Sequence, residues 1–256
     1  RRSDMSMLEL TPDFIKEFAA YLSTEAGLRN GSIWANCMWL KGVVMKAHYN
    51  GLIPRNPFIQ FHISPNVKER EYLTEDELKA VMTHEFADSK LAYIRDIFIF
   101  ASFTALSFVD IQELTNDNIV EVNGEKWILS KRHKTKVAFQ VKLLDIPLQI
   151  VERYRPMQKD NRIFPGLNYW SICKPLKRMI RECGITKSIS FHCSRHGFAT
   201  LALSKGMPIE SVSRVLGHTN IVTTQLYAKI TTQKLDNDLT MFGDKLSKTF
   251  NGITMS

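Results

Sequence analysis

Apolar residues recur along the chain at two spacings, and the helical one dominates. Thr11-Pro12-Asp13 has the form of a helix cap with proline at the first helical position, and Phe14, Phe18, Tyr21 and Leu22 follow at helical spacing as far as Gly27. This predicts a first helix near residues 12–25. Ile33, Cys37, Leu40, Val44 and Ala47 keep the same period until Asn50-Gly51 ends it, which predicts a second. Breakers in IPRNPF and in Ser64-Pro65-Asn66 follow. The expected organisation is a small all-helical domain at 1–63, a linker at 64–71 and a second domain with a C-terminal tail at 72–256.

Thr74-Glu75-Asp76-Glu77 has the Thr-x-x-Glu form of a capping box and opens the second domain. Leu91 to Phe108 is apolar with few breaks, as expected of a buried central helix. The alternating spacing appears once. IVEV, then Asn123-Gly124, then KWILS predicts a hairpin whose turn pair tolerates positive φ, and VAFQVKLL supplies a third strand. The fold class is therefore mainly α with a small antiparallel β-sheet, an α+β arrangement. Helical spacing returns near residue 170, where Ile172, Leu176, Met179, Ile180 and Cys183 share one face and Lys174, Lys177, Arg178 and Arg181 the other. Further helices are expected from about residue 193 to Lys205-Gly206, from Pro208 to Gly217, and from a cap at Thr219 or Asn220, the last carrying Tyr227 about two turns in.

Charge sharpens this picture. The 256 residues carry a formal net charge of +8, which favours a polyanionic partner without naming one. On the helix near 170 only Glu182 interrupts the basic face, so a ladder of i,i+4 ion pairs does not account for it, whereas a DNA backbone does. Lys126, Lys131, Arg132, Lys134 and Lys136 follow Glu125 with no acid between them. They read either as a solvated hairpin tip or as a phosphate-facing strand. No apolar run approaches a membrane span and the N-terminus lacks a signal-peptide layout, so a soluble intracellular protein is expected. Cys37, Cys173, Cys183 and Cys193 form no C-x-x-C pair and read as reduced packing residues. His192 beside Cys193 is a poor metal pair because adjacent side chains diverge, so no metal is expected. Arg1-Arg2 with no initiator Met reads as a piece of something longer.

The stretch FHCSRHGFAT places His192, Arg195 and His196 at one helix start, where burial is costly unless each polar group is partnered. His218 falls in the next connection and Tyr227 beyond it. A phenol is a poor nucleophile on its own, but an arginine and two imidazoles aimed at a phosphodiester neutralise its non-bridging oxygens, which makes attack on phosphorus by a tyrosine plausible.

His192-x-x-Arg195-His196, Leu216-Gly217-His218 and Thr223-Thr224-x-x-Tyr227 together resemble, in residue type, order and spacing, the signature of the tyrosine recombinase (phage integrase) family. The resemblance covers nearly the whole chain. Residues 11–63, closing in Asn-Pro-Phe at 56–58, resemble the family's helical core-binding (SAM-like) DNA-binding domain, and 72–250 its catalytic domain. Among members the chain is most similar to integrases of conjugative transposons and related mobile elements, which usually carry a further N-terminal arm-binding domain. The resemblance implies a site-specific recombinase acting on double-stranded DNA without metal or nucleotide cofactor, in the bacterial cytoplasm and associated with the nucleoid. It implies a homotetramer on DNA, with the isolated piece a monomer. Tyr227 would form a 3′-phosphotyrosyl bond and release a 5′-hydroxyl; Arg195 and His218 would hold the phosphate, and His192 would assist proton transfer or hydrogen-bond the same group. The family's catalytic lysine on the hairpin matches Lys134, with Lys136 the fallback.

One position departs from the family's pattern. Where a Thr-Gly-Leu-Arg-like stretch is expected the chain reads Thr104-Ala105-Leu106-Ser107, so Ser107 replaces the first catalytic arginine and Asp110 fits the acid that follows. A hydroxyl brings no charge and no bidentate contact. An inactive protein, an introduced change and a natural variant with a compensating cation all fit this substitution. The third is favoured, with Arg132 the substitute, because the remaining catalytic positions are intact. Two other readings remain open: a helix-turn-helix module without chemistry around Gly217, and a type IB topoisomerase. Leu239, Met241, Phe242 and Leu246 read either as a segment exchanged between protomers or as a helix packed on its own domain.

Overall fold

The computed structural model describes residues 4–65, 71–133, 136–158, 160–228, 232–249 and 251. The chain divides into two compact units, Arg1–Glu69 and Arg70–Ser256.

The first unit is built on α1 (Pro12–Thr24) and α2 (Asn30–Tyr49). Thr11 caps α1, its Oγ1 accepting from the Phe14 amide at 3.2 Å, and Pro12 sits where its missing N–H costs nothing. Ile15, Leu22, Ile33, Cys37, Val44 and Ala47 are the buried residues of the pair. The face is rotated slightly from the sequence reading. Phe14 and Phe18 are half-buried and Tyr21 is exposed, because Ile15, absent from the predicted series, takes the deepest position. In the closing Asn-Pro-Phe, the Asn56 side chain accepts from the Phe58 amide at 2.9 Å, a local turn that delivers the Phe58 ring to the core.

The second unit opens at α3 (Glu75–Thr83) through a reciprocal capping box between Thr74 and Glu77. The next helix, α4 (Ser89–Thr104), is buried on nearly every side. It packs against α6 (Asp145–Tyr154), α7 (Tyr169–Glu182) and α8 (Cys193–Ser204), which explains its almost unbroken apolar run. Asp96, buried in this helix, is held by Arg95 Nε at 2.9 Å, Arg153 at 2.7 Å and the Tyr154 hydroxyl at 2.8 Å. The apolar stretch is not one helix to Phe108. It stops at Ala105, which takes a left-handed conformation at φ 56°, and Ser107 starts the short α5 (Phe108–Gln112). Ser107 and Asp110 form a capping box of their own, and this local pairing ends the longer helix without a glycine or proline.

The sheet is antiparallel in the order β1 (Ile119–Val122), β2 (Glu125–Lys131), β3 (Ala138–Lys142), with Val122 opposite Glu125 and Lys131 opposite Ala138. Asn123 at φ 54° and Gly124 at φ 77° make the expected two-residue turn. Ile128, Phe139 and Val141 are buried on one face. The chain then runs through α9 (Ile209–Leu216), the one-turn α10 (Val222–Gln225) and α11 (Thr232–Thr249). All four thiols are free, with Cys37 and Cys193 buried. No helix among the described residues is long and apolar enough to cross a membrane.

Candidate active site

Five separated stretches meet at the start of α8. Arg195 and His196 lie in its first turn and are buried, while His192 at the N-cap is exposed. The Arg195 guanidinium donates to the carbonyl of Ala105 at 2.7 Å and to that of Leu216. The first contact explains why α4 ends as it does: the left-handed turn at Ala105, unfavourable for a residue with a Cβ, aims its carbonyl at Arg195. The second comes from the C-terminus of α9, where exposed carbonyls favour a cation.

A second guanidinium enters from the sheet. Arg132, at the end of β2, is buried; its Nη1 donates to Asp110 Oδ2 at 2.7 Å and its Nη2 to the Val215 carbonyl. Its Cζ lies over the Phe139 ring, 4.0 Å from the centroid. Its Nε has no hydrogen-bond partner among the described residues. Gly217 caps α9 at φ 63°, and a Cβ built there would stand 2.9 Å from that Nε and 3.0 Å from Arg132 Cγ. Only glycine fits both the conformation and the approach. Ser107 is drawn into the same network, since its hydroxyl donates to Asp110 Oδ2 at 2.7 Å. The residue that replaces the expected arginine thus holds the carboxylate that holds Arg132.

His218 follows the Gly217 turn, with Nδ1 2.9 Å from the hydroxyl of Thr224, a fully buried residue. Tyr227 differs from expectation: it lies in the turn after α10 and not two turns into a helix, because the helix closes at Gln225 and the Tyr227 amide donates to Thr224 O at 3.0 Å. Its half-buried ring packs on the apolar group of Ala105, Ala199, Leu203, Val212 and Leu216. It meets the His196 ring at 5.1 Å between centroids, and His196 meets His192 edge-on at 4.6 Å.

The electrostatics follow from burial. Arg195 is drawn down to about 10, first by burial and then by the charge of Arg132, with Asp110 and Tyr227 opposing; it stays charged at neutral pH. Burial likewise lowers Arg132, and Asp110 resists this. Burial would raise the Asp110 carboxyl, but Arg132, Ser107 and the His133 amide outweigh it and keep it ionised. His218 falls to about 4 through burial and the neighbouring charges of Arg195, Arg132 and His192, so its imidazole is neutral. Two buried guanidiniums therefore share one carboxylate, an excess of positive charge in a low-dielectric pocket that suits an anion.

The other sequence-predicted residues divide. Lys134 lies outside the described residues. Lys136 is exposed, at φ 57°, its amide donating to Arg132 O at 2.8 Å. Lys174, Lys177, Arg178 and Arg181 do share the exposed face of α7, but Arg178 is committed to Glu182 at 2.8 Å and to Asp88 at 3.3 Å. Asp88 lies 90 positions away in sequence, so spacing within the helix could not reveal it. Lys126 likewise pairs with Glu152 of α6 at 3.3 Å, leaving the hairpin less uniformly basic than its sequence. Sequence reasoning missed Thr224 as the partner of His218 and Asp110 as the anchor of Arg132; the repeated threonine before Tyr227 and the Ser-x-x-Asp spacing were the available signals.

The fold is that of the tyrosine recombinases. Residues 71–234 match the profile of the Phage integrase family and residues 1–63 that of the Phage integrase SAM-like domain. The chain belongs to the phage integrase family. It is 32% identical over 177 residues to tyrosine recombinase XerA of Pyrococcus horikoshii, an alignment spanning 64% of this chain and 58% of that protein. It is 25% identical over 229 residues to tyrosine recombinase XerC of Lactobacillus leichmannii, spanning 84% and 77%. In three dimensions it is similar to the Tn1549 transposon integrase, solved in complex with circular intermediate DNA, at a TM-score of 0.77 and 18% identity over 93% of this chain and 88% of that one. The lambda integrase bound to a core site gives a TM-score of 0.68 at 17% identity, over 88% and 82%.

Proposed function

We propose that this chain is a site-specific recombinase of a mobile element, of the conjugative transposon kind, which cuts and rejoins double-stranded DNA through Tyr227. The observation that carries this reading is the pair of buried guanidiniums, Arg132 and Arg195, beside a tyrosine that stands at the pocket's edge. The phenolate oxygen attacks phosphorus as the bond to the 5′-oxygen breaks; the 5′-hydroxyl leaves and a 3′-phosphotyrosyl link remains. Attack by the 5′-hydroxyl of a partner strand reverses the step and completes exchange. The phosphodiester energy is conserved in the covalent link, so no nucleotide is consumed.

Arg195 and Arg132 neutralise the non-bridging oxygens, Arg132 in place of the arginine that Ser107 displaces. His218 is neutral, and with the Thr224 hydroxyl donating to its Nδ1 in this reading, its proton sits on Nε2 as a donor to the phosphate. His192 assists proton transfer at the phenol, and Lys134, with Lys136 as fallback, protonates the leaving oxygen. Lys174, Lys177 and Arg181 contact the DNA backbone, with the helical residues 1–63 forming a core-binding domain and 72–256 the catalytic domain. Four protomers assemble on two duplexes, a monomer being the state without DNA, and the protein works in the bacterial cytoplasm at the nucleoid. The exposed apolar residues of α11, Leu235, Leu239, Phe242 and Leu246, recur at helical spacing and suit exchange between protomers.

The test is a suicide duplex, nicked so that the leaving segment diffuses away, resolved on a denaturing gel. A covalent adduct that Tyr227→Phe abolishes is the expected result; tight binding without adduct refutes the enzymatic reading. Strand exchange between two duplexes then separates a recombinase from a topoisomerase.

A further inference from the structure

The two threonines before Tyr227 sit in different surroundings: Thr223 is exposed and Thr224 is fully buried. A buried hydroxyl needs an acceptor for its one proton, because a bond left unmade in the interior costs more than a made one returns. Among the described residues the Thr224 Oγ1 has one partner, His218 Nδ1 at 2.9 Å. A neutral imidazole carries its proton on one nitrogen and accepts at the other. With the proton on Nδ1, Thr224 would have to accept it, and the hydroxyl's own proton would be stranded in the interior. With Nδ1 bare, the hydroxyl donates and nothing is stranded. The burial of Thr224 therefore selects the form of His218 that is protonated on Nε2.

The opposite nitrogen faces no such constraint. Arg132 Nε is the one buried side-chain nitrogen or oxygen without a hydrogen bond among the described residues, so Nε2 of the half-buried His218, which bonds to none of those residues, is open to a ligand. The ring is fixed from two sides: the His218 amide donates to Ser213 O at 3.1 Å at the close of α9, and Thr224 holds the imidazole. Thr224 also accepts the Tyr227 amide through its own carbonyl, at 3.0 Å. One residue thus joins the imidazole beside Arg195 to the turn that carries the phenol.

We infer that Thr224 is a positioning residue for strand cleavage: its hydroxyl fixes which nitrogen of His218 carries the proton and so makes that imidazole a hydrogen-bond donor to the phosphate. This rests on the reading of Tyr227 as nucleophile and of Arg195 and His218 as the groups that hold the phosphate. Thr224 touches neither the phosphate nor the phenol oxygen in this role, and it transfers no proton. Without its hydroxyl the bias between the two forms of His218 is lost. In the second form Nε2 turns a lone pair toward an anion, and a donor to the transition state is replaced by a repulsion.

The experiment uses the full chain and two readouts: ring-nitrogen NMR of isotope-labelled histidine at neutral pH, with the His218 signals assigned by their loss in His218→Asn, and single-turnover adduct formation on a saturating suicide duplex. The parent should show the His218 proton on Nε2. Thr224→Val, close in size but without the hydroxyl, should move the signals toward a mixture of the two forms. It should also slow adduct formation at least about 10-fold, the loss of a whole phosphate donor being roughly 10²–10³-fold. Thr224→Ser should restore both the spectrum and the rate. A parent proton on Nδ1 overturns the inference, as does Thr224→Val with the parental spectrum, whatever its rate. Thr224→Ser as slow as Thr224→Val overturns it too, since that places the role in packing. Should Thr224→Val lose its cooperative melting, Thr224→Ala is set against Thr224→Ser: both lack the methyl and only Ser keeps the hydroxyl, so equal rates overturn the inference. No adduct from the parent chain overturns the Tyr227 reading and this role with it, and the parent spectrum tells that failure apart from a wrong assignment of the His218 proton.

Discussion

Replacing Arg132 tests whether a cation from the sheet serves where Ser107 brings none. Arg132→Ala alone is a poor probe, because it leaves Asp110 buried with its side chain 4% exposed and its charged partner gone. Breaking a buried pair in that way costs about 3–5 kcal/mol of stability, a large part of the 5–15 kcal/mol typical of a domain. The better perturbation removes both charges in one step, Arg132→Met with Asp110→Asn. Met fills the space over Phe139, and the single amide oxygen of Asn still accepts from the His133 amide (3.1 Å to Asp110 Oδ1), while its NH2, in the place of Oδ2, donates to the Ser107 hydroxyl, which turns round to accept. Replacing a buried ion pair with neutral groups of similar volume is close to neutral for stability. What remains is the catalytic term. Losing one donor to the transition-state phosphate costs about 3–4 kcal/mol, or roughly 10²–10³-fold in rate. Single-turnover adduct formation on the suicide duplex, compared with the melting temperature, reads the two effects separately. The expected outcome is a melting temperature within a few degrees of the parent and a rate about 10²–10³-fold lower. A double variant that folds and cleaves within about 10-fold of the parent refutes the argument and makes Arg132 purely structural.

Gly217→Ala places a methyl against Arg132 Nε and forces a left-handed residue to carry a Cβ, so adduct formation should drop at least about 10-fold while gel-shift affinity holds; an unchanged rate would show that the Arg132 side chain relocates freely. His218, neutral with its pKa near 4 in the free protein, should shift upward when a phosphate anion arrives. Binding then takes up a proton, and affinity rises as pH falls through the raised bound value toward the free value of about 4, levelling off below it; His218→Asn should flatten that dependence, as read by calorimetry in buffers of different ionisation enthalpy. Lys174→Ala and Arg181→Ala should weaken binding to unrelated duplexes about equally and reduce the salt slope by about one each, whereas Arg178→Ala, already paired with Asp88 and Glu182, should change it less. Filter binding across a salt series measures all three.

Much of this architecture was legible because local signals and tertiary packing agree. The caps at Thr11-Pro12 and Thr74–Glu77, the Asn123-Gly124 turn and the apolar face of α7 each act within a few residues, and each stands where the pattern puts it. The breaks were harder. Nothing at Ala105 looks like a helix end, since its left-handed turn is stabilised by a guanidinium 90 positions away, and the capping box that restarts the chain looks at first like a lost catalytic residue. Tyr227 was found by motif, but its turn was not, because the short α10 has a helical pattern too brief to separate from a longer one. In the site, residue types and order were visible while partnerships were not. Arg132 reads in sequence as one cation among several on a hairpin, and only the folded chain buries it against Asp110 and Gly217 while leaving Lys136 in solvent.

The carbonyls that receive Arg132 and Arg195 belong to consecutive residues, Val215 and Leu216, at the last turn of α9. A single peptide unit, about 3.8 Å from one Cα to the next, therefore fixes the separation of the two cations. Any fraying of that turn would loosen both at once, so substitutions there should compound with those at either arginine in ways that do not add, and the reach of the pocket is written into the backbone of a helix that bears none of its charge.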